Sequence, residues 1–245
     1  MKAFIVAAGL GTRLRPLTDT VPKCMIDIGG KPLLWYHIRQ LKYYGITDIW
    51  VNTHWLSDQV VSYFGNGAKF GVHIRYSYEK KLLGTAGALK NPRSGICKAF
   101  QKSPFLVVYG DNLTNFNYLN FIKFHRQNSA AMTIAVDHSS EPWTKGVIEA
   151  KLSGRIINLV EKPPENEIKS DLTNTGIYLC EPQVLNYIPE GFSDFAKDII
   201  PALMAKNLPL YSYIMSGDLY LQDTGTPERY QIARGGFPSI KFPFK

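Results

Sequence analysis

Apolar positions in the first half of the 245-residue chain fall into short runs that alternate with amphipathic stretches. Residues 2–8 (KAFIVAA) form an apolar run that ends in a glycine turn, the pattern of a buried strand. Residues 33–44 (LLWYHIRQLKYY) place apolar side chains at helical spacing and stop at Gly45. Residues 48–53 (DIWVNT) predict a strand, residues 57–64 a short helix capped by Ser57, and residues 72–78 an alternating strand. A helical stretch over 85–100 must be interrupted at Asn91-Pro92. Residues 105–109 (FLVVY) read as a buried strand ending at Gly110-Asp111. Repeated strand–helix–strand units imply a mainly parallel sheet covered by helices.

After a helical segment over 115–127 the texture changes. Residues 132–137, 146–152, 155–160 and 174–180 are strand-like, with turns such as Ser153-Gly154 between them. Residues 195–206 predict a helix that Pro201 bends, 210–214 and 219–222 short strands, and 227–234 a helix with Pro227 in its first turn. Residues 235–245 carry little pattern. The expected fold is a single α/β, Rossmann-like mixed and mainly parallel sheet flanked by helices, with an antiparallel subregion in the second half. No repeat or linker divides it.

Composition removes several classes. Hydrophobic residues make up 45% and charged residues 20%, ordinary for a folded globular chain. No apolar run approaches the roughly 18 residues of a membrane helix. The opening apolar run is followed at once by Gly9, Gly11, Arg13 and Arg15, with no cleavage site of small residues, so it reads as a strand rather than a secretory signal. Three widely spaced cysteines, Cys24, Cys97 and Cys180, argue against a disulfide framework or zinc site and point to a reducing cytoplasm. The net charge of +8 suits either nucleic acid or phosphorylated metabolites, and no basic arm decides between them.

In open α/β sheets ligands gather at the carboxyl ends of the strands. Three features fall there. The loop Ala8-Gly9-Leu10-Gly11-Thr12-Arg13 lets backbone N–H groups approach a phosphate and adds a forked cation. Position 14 is Leu where a dinucleotide fingerprint has its third glycine, and no P-loop Gly-Lys-Ser/Thr follows. A plain tight turn is the alternative. Asp111 follows the strand FLVVY and is placed for a metal or for a helix N-cap. Asp223, in QDTGTP, would pass alone as a turn residue. His37, His54, His73, His125 and His138 stand in no catalytic or metal-binding pattern.

In order along the chain stand GLGTRLRP (9–16), Pro22-Lys23, GKPL (30–33), LGTAGA (83–88), Gly110-Asp111-Asn112, Glu161-Lys162-Pro163, NTGIY (174–178) and DTGTP (223–227). Over roughly residues 1–232 this series resembles the sugar-1-phosphate nucleotidyltransferases, closest to the mannose-1-phosphate and heptose-1-phosphate guanylyltransferases. The resemblance implies a GT-A-like catalytic domain over residues 1–234 followed by a tail, 235–245. It further suggests a short member, ending where many relatives continue into a β-helix.

The resemblance also implies roles. Ala8, Gly9, Leu10, Gly11 and Thr12 would cradle the triphosphate, with Gly84 and Thr85 beside the nucleotide. Arg13 and Lys23 would clamp phosphates, although Lys23 alone could be a solvated lysine. Asp111 and Asp223 would hold Mg²⁺. Lys162 would grip the sugar phosphate with Asn112 and Thr175, Glu161 and Asn174 would bind sugar hydroxyls, and Gly146 would admit the sugar. The implied partners are a nucleoside triphosphate and a sugar 1-phosphate, with neither nucleic acid nor membrane; a homo-oligomer is left open. Two departures stand out. Cys24 takes the place of a usual proline, which predicts a looser loop, and Lys145 replaces a common aromatic, facing either solvent or a phosphate.

Glu79 lies five residues before Gly84, where thymidylyl relatives tend to carry Gln. A carboxylate only accepts hydrogen bonds. Guanine offers two adjacent donors, N1–H and its amino group, so Glu79 favours guanine if it faces the base; the alternative is an exposed Glu beside Lys80 and Lys81. UTP, dTTP or CTP, and a regulatory subunit that binds sugar nucleotides without catalysis, are the competing readings. A nucleic-acid-binding domain has no motif in its favour.

Overall fold

The computed structural model describes residues 1–215, 217 and 219–244; of the tail, Lys245 lies outside the described residues. The chain forms a mixed, mainly parallel central sheet with flanking helices. Its contacts separate into two compact units. The first comprises Met1–Leu82, Val108–Tyr118 and Asp218–Lys245, the second Leu83–Val107 and Leu119–Gly217. Each is assembled from separated stretches, so no linker in the sequence marks the division. No helix among the described residues is long and apolar enough to cross a membrane.

In the first unit the strands Lys2–Val6, Asp48–Thr53 and His73–Tyr78 lie parallel, with Phe4 opposite Trp50 and Trp50 opposite Arg75. Ala3, Phe4, Ile5, Ile49 and Val51 are fully buried, which explains the short apolar runs. Parallel pairing carries the residues after all three strands, Ala7, His54 and Glu79 among them, to one edge. The helix Leu33–Tyr43 buries a wide face of Leu33, Leu34, Tyr36, His37, Ile38, Gln40 and Leu41. It ends where Gly45, at φ +74°, turns the chain and donates its N–H to Lys42 O.

The second unit orders its strands Ile156–Glu161, Gly146–Ala150, Leu172–Cys180, Met132–His138 and Leu210–Ile214. All neighbours are antiparallel except the last pair, which is parallel. This is the antiparallel subregion that the change in sequence texture predicts.

Several local expectations change. Ser57 begins its helix instead of capping it, because Leu56 takes the N-cap in a left-handed conformation. The stretch 85–100 breaks into Gly84–Gly87, Ala88–Lys90 and Ile96–Phe100. The helix expected from 115 starts at Tyr118, because Asn112–Thr114 forms a strand. Residues Phe195–Ile199 form a π-helix, its N-terminus capped by Asp194, before the α-helix Ile200–Ala205, where Pro201 sits harmlessly in the first turn. The tail is also ordered by packing. Phe237, Ile240, Phe242 and Phe244 lie against the cluster of Leu14, Ile26, Ile28, Leu33, Tyr36, Leu113, Tyr230 and Ala233.

Candidate active site

In the first unit, Gly110 ends a strand by donating its N–H to Val6 O, and a Cβ there would press on Ile5 and Val6 at 3.0–3.1 Å. Asp111 therefore emerges at the carboxyl edge. The next three residues, Asn112–Thr114, pair antiparallel with Leu221–Asp223, and Asp223 falls opposite Asn112. Thr224 fastens the junction: both its N–H and its hydroxyl donate to Asp111 O, at 3.1 and 2.9 Å. Two carboxylates more than a hundred residues apart in sequence are thus brought together by one short strand pair.

Lys23 faces both of them. Its Nζ lies 2.6 Å from Asp111 Oδ2 and 3.9 Å from Asp223 Oδ1, and its side chain is only 10% exposed. Asp223 Oδ1 also accepts the Gly225 N–H at 2.7 Å, and Oδ2 accepts from Arg229 Nη1 at 2.7 Å. Arg13 joins the group: a Cβ on Gly225 would lie 3.0 Å from Arg13 Nη2 and 3.1 Å from Lys23 Nζ. Arg13, Lys23 and Arg229 stand against Asp111 and Asp223, so the cluster keeps a net positive charge suited to a polyanion. Burial is the largest influence and would raise the Asp111 carboxyl, but the charge and hydrogen bond of Lys23, joined by a backbone hydrogen bond and His37, together hold it below the usual carboxylate range. Beneath the cluster, burial lowers the His37 imidazole to about 4 against the opposing pull of Asp111, so the ring is neutral.

Gly11 adopts φ +64°, and its carbonyl accepts from the Leu14 N–H and the Thr18 hydroxyl. Gly9, Thr12 and Arg13 remain exposed, Leu10 is half-buried, and Ala8 is buried. The loop at Cys24 is closed rather than loose: Lys23–Met25 is a 3₁₀ turn, and Cys24 is buried, its thiol pushed up to about 12 by that burial. All three cysteines are free.

Two carboxylates facing one cation form a donor set that Mg²⁺ accepts when phosphate oxygens complete its shell. Among the described residues no group of three or more His, Cys, Asp or Glu could hold a metal by itself. A metal here would depend on substrate oxygens.

Glu79 is 1% exposed, not solvated beside Lys80 and Lys81. Its Oε1 accepts from Asn52 Nδ2 at 2.7 Å, and its backbone N–H donates to Thr53 O.

The second unit gathers Gly146, Glu161, Lys162 and Asn174. Gly146 lies opposite Glu161 across a strand pair. A Cβ on it would stand 2.8 Å from Glu161 Oε2 and 3.5 Å from Asn174 Cβ. Burial raises the Glu161 carboxyl above its usual range, Lys162 pulls it down and Asp194 pushes it up. Asn174 sits at a bulge: its Oδ1 accepts the Gly176 N–H and its Nδ2 donates to the Tyr178 hydroxyl. Lys162 holds φ +52°, an uncommon conformation for lysine, pinned by its N–H to Lys145 O. Lys145 itself is half-buried.

Other expected residues make contacts within their own units. Gly84 and Thr85, expected beside the nucleotide, belong to the second unit, and the Thr85 hydroxyl donates to Asp194 Oδ2 and accepts from the Phe195 N–H. A Cβ on Gly84 would lie 2.3 Å from Ser193 O, so this glycine serves close packing. The Thr175 hydroxyl donates to Ala135 O inside the sheet. Asn112, expected with the sugar, belongs to the first unit and is 9% exposed.

Sequence reasoning gave no role to Thr224 and Gly225 within the DTGTP motif and passed over Arg229 and Asn52. Arg229 did leave a signal. It stands in the first turn of the helix Pro227–Gly236, where a cation opposes the helix dipole and so needs another reason to be there.

A family model described as "Nucleotidyl transferase" matches residues 2–234. The chain is 38% identical to the UTP–glucose-1-phosphate uridylyltransferase of Synechocystis sp., over 96% of this chain and 63% of that protein. It is 34% identical to the mannose-1-phosphate guanyltransferase of Yarrowia lipolytica, over 94% of this chain and 62% of that one. The chain therefore spans about three fifths of the length of these curated relatives. Among solved structures, a glucose-1-phosphate thymidylyltransferase from Bacillus anthracis, titled as putative and in complex with a sucrose, superposes with a TM-score of 0.85 at 29% identity. The match covers 99% of this chain and 97% of that one.

Proposed function

Because the chain belongs to the nucleotidyl transferase family, we propose that it transfers a nucleoside monophosphate from a nucleoside triphosphate, GTP before the others, to a sugar 1-phosphate. Mannose, a heptose or another hexose 1-phosphate is the acceptor, and the products are a nucleoside diphosphate sugar and pyrophosphate. The observation that carries this reading is the Lys23 ammonium held between Asp111 and Asp223 beside the Arg13 guanidinium.

The attacking group is a phosphate oxygen of the sugar 1-phosphate. With a second pKa of about 6 it is mostly ionised at neutral pH, so the reaction needs no general base. This oxygen bonds to the α-phosphorus while the bond to the β-phosphate breaks, and pyrophosphate leaves with the electron pair. The protein's task is to bind mutually repelling anions and to neutralise charge building at the α-phosphate. Arg13 and Lys23 supply that charge, and the backbone of Gly9, Gly11 and Thr12 supplies donors. Asp111 and Asp223 would hold Mg²⁺, which when bound offsets phosphate charge. In the second unit Lys162 suits a sugar phosphate, Glu161 and Asn174 suit hydroxyls, and Gly146 leaves room for the ring. We place the enzyme in the cytoplasm, where its free cysteines would stay reduced.

Glu79 favours guanine where it faces the base, because a carboxylate matches two adjacent donors. UTP is the second reading, favoured by the relative named a uridylyltransferase. The test is pyrophosphate release with each triphosphate against a panel of sugar 1-phosphates. GTP should give the highest kcat/KM; a preference for UTP or dTTP refutes the guanine assignment. No turnover with any pair refutes the activity and leaves the regulatory-subunit reading. EDTA should abolish turnover, and Asp111→Asn or Asp223→Asn should each cost about 2.7–4 kcal/mol in transition-state stabilisation, the scale of losing one key electrostatic group. Near-normal rates in both variants would remove the metal site.

A further inference from the structure

Arg229 reaches Asp223 from a short, well-fastened helix. Thr226 caps the helix Pro227–Gly236, its hydroxyl accepting the Arg229 N–H at 3.3 Å, and Pro227 stands in the first turn. One residue on, Tyr230 is buried and its hydroxyl donates to Asp27 O at 2.8 Å, which ties the helix to the rest of the first unit. From this fixed base the Arg229 Nη1 donates to Asp223 Oδ2 at 2.7 Å. On the other oxygen, Oδ1 accepts the Gly225 N–H at 2.7 Å and lies 3.9 Å from Lys23 Nζ. One donor leaves a carboxylate free to swing about its Cβ–Cγ bond, whereas two donors on different oxygens set its plane. Each carboxylate oxygen has about two lone-pair sites, so Oδ1 keeps one for the cluster after Gly225 has taken the other.

We propose that Arg229 is a positioning residue: by engaging Asp223 Oδ2 it turns Oδ1 toward Lys23 and Arg13, where a divalent cation would meet phosphate oxygens. The inference rests on the reading of Asp223 as a metal ligand. It explains why a cation stands in the first turn of a helix, where the helix dipole disfavours it. It also predicts the opposite sign from a plain charge effect. A guanidinium beside Asp223 repels a metal ion, so as a charge alone Arg229 would weaken metal binding, and its removal would strengthen it. As an orienting group it strengthens metal binding, because partners that hold a metal ligand in place typically contribute 10- to 100-fold to metal affinity. The pair is partly exposed, with the two side chains at 24% and 26%, so the fold depends on it little.

The experiment measures binding rather than turnover. The probe is the α,β-methylene analogue of GTP, or of UTP where UTP is the better substrate, in which a methylene replaces the bridging oxygen of the bond that breaks. Isothermal titration calorimetry gives its affinity with Mn²⁺ and with EDTA, and the ratio of the two isolates the metal's share. Arg229→Met should lower that ratio about tenfold or more, a fall that loss of a positive charge cannot produce. Its melting temperature should stay within about 4 °C of wild type, as a partly exposed ion pair allows. In the Asp223→Ala background the ratio is already low, and adding Arg229→Met should lower it no further, because Arg229 acts through Asp223. A ratio unchanged or raised by Arg229→Met overturns the role of Arg229 alone, as does a further fall in the Asp223→Ala background. A wild type that binds the analogue equally well with Mn²⁺ and with EDTA overturns the metal reading of Asp223, and the inference with it. If Arg229→Met does not fold, Arg229→Gln, a good helix former whose shorter side chain stops short of Asp223, must show the same fall; an unchanged ratio there overturns the proposal.

Discussion

Replacing Gly225 by Ala separates the role we propose for the Arg13–Lys23–Asp223 cluster from the stability of the fold. Gly225 is not in a left-handed conformation, so alanine brings no backbone strain. It removes unfolded-state freedom instead, a gain of about 0.4–1 kcal/mol where the site tolerates it. The new methyl, however, would stand 2.8 Å from Asp223 Oδ1, 3.0 Å from Arg13 Nη2 and 3.1 Å from Lys23 Nζ. Ordinary contact begins at 3.4 Å, so these atoms must retreat by about 0.6, 0.4 and 0.3 Å. The two cations end long side chains and can move cheaply. Asp223 Oδ1 cannot, because the Gly225 N–H holds it at 2.7 Å and Arg229 holds its other oxygen. The expected result is a melting temperature close to wild type with turnover reduced roughly 10- to 100-fold, since preorganised groups tolerate only about 0.5 Å of error. Differential scanning fluorimetry and pyrophosphate release on the same preparations measure both. Gly225→Ala with turnover within twofold of wild type would show that these charges are not the ones the reaction uses.

Three further outcomes follow from the same geometry. Gly146→Ala places a methyl 2.8 Å from Glu161 Oε2 and should raise KM for the sugar 1-phosphate while leaving KM for the triphosphate unchanged; the reverse pattern in steady-state kinetics contradicts the assignment. Arg13→Ala should lower kcat strongly, whereas Lys162→Ala should weaken sugar-phosphate binding as well; a change confined to the triphosphate KM in both would overturn this division of roles. His37, lowered to about 4 in the fold against an ordinary 6.5, binds a proton more readily in the unfolded chain, so its neutral form contributes full stability above pH 6.5 and loses it as pH falls toward 4. The gap corresponds to roughly 3 kcal/mol, and His37→Leu should flatten urea-derived stability between pH 6.5 and 4; an unaltered slope would remove His37 as its source.

The strands and helices of the first unit were legible because burial wrote them directly into the apolar pattern. The run AFI within Lys2–Val6 and the seven-residue buried face of Leu33–Tyr43 are examples. Asp111 was legible for the same reason, since it follows an apolar strand and a glycine. The strand Leu221–Asp223 was harder. It has three residues, all only half-buried, and its pairing is decided by Asn112–Thr114 over a hundred positions away. The tail illustrates another limit. Phe237, Phe242 and Phe244 have no helical or strand period, yet they stack around Tyr36 and Trp35 at centroid distances of 5.1–6.2 Å. Aromatic packing of this kind needs surface from a distant element, and a local pattern does not record it.

Motif spacing reveals which residue types arrive at an edge, but not how their hydrogen-bonding atoms are spent. Thr85 and Thr175 sit in long motifs, and their hydroxyls serve the fold by binding Asp194 and Ala135. Asn52 sits in no motif, and its amide touches both the start of the glycine loop and the carboxylate of Glu79. The difference is one of satisfaction. A buried amide left without partners costs about 1–3 kcal/mol per group, so an asparagine at the buried end of an apolar strand must have a donor and an acceptor waiting for it. The sequence DIWVNT already poses that question at its fifth residue, where strand propensity would favour a β-branched side chain. The partners, Ala7 and Glu79, follow the two strands that flank it, and parallel pairing brings all three to the same edge. A polar residue that breaks an apolar run at a carboxyl edge therefore points to the segments that gather there as directly as a glycine motif does.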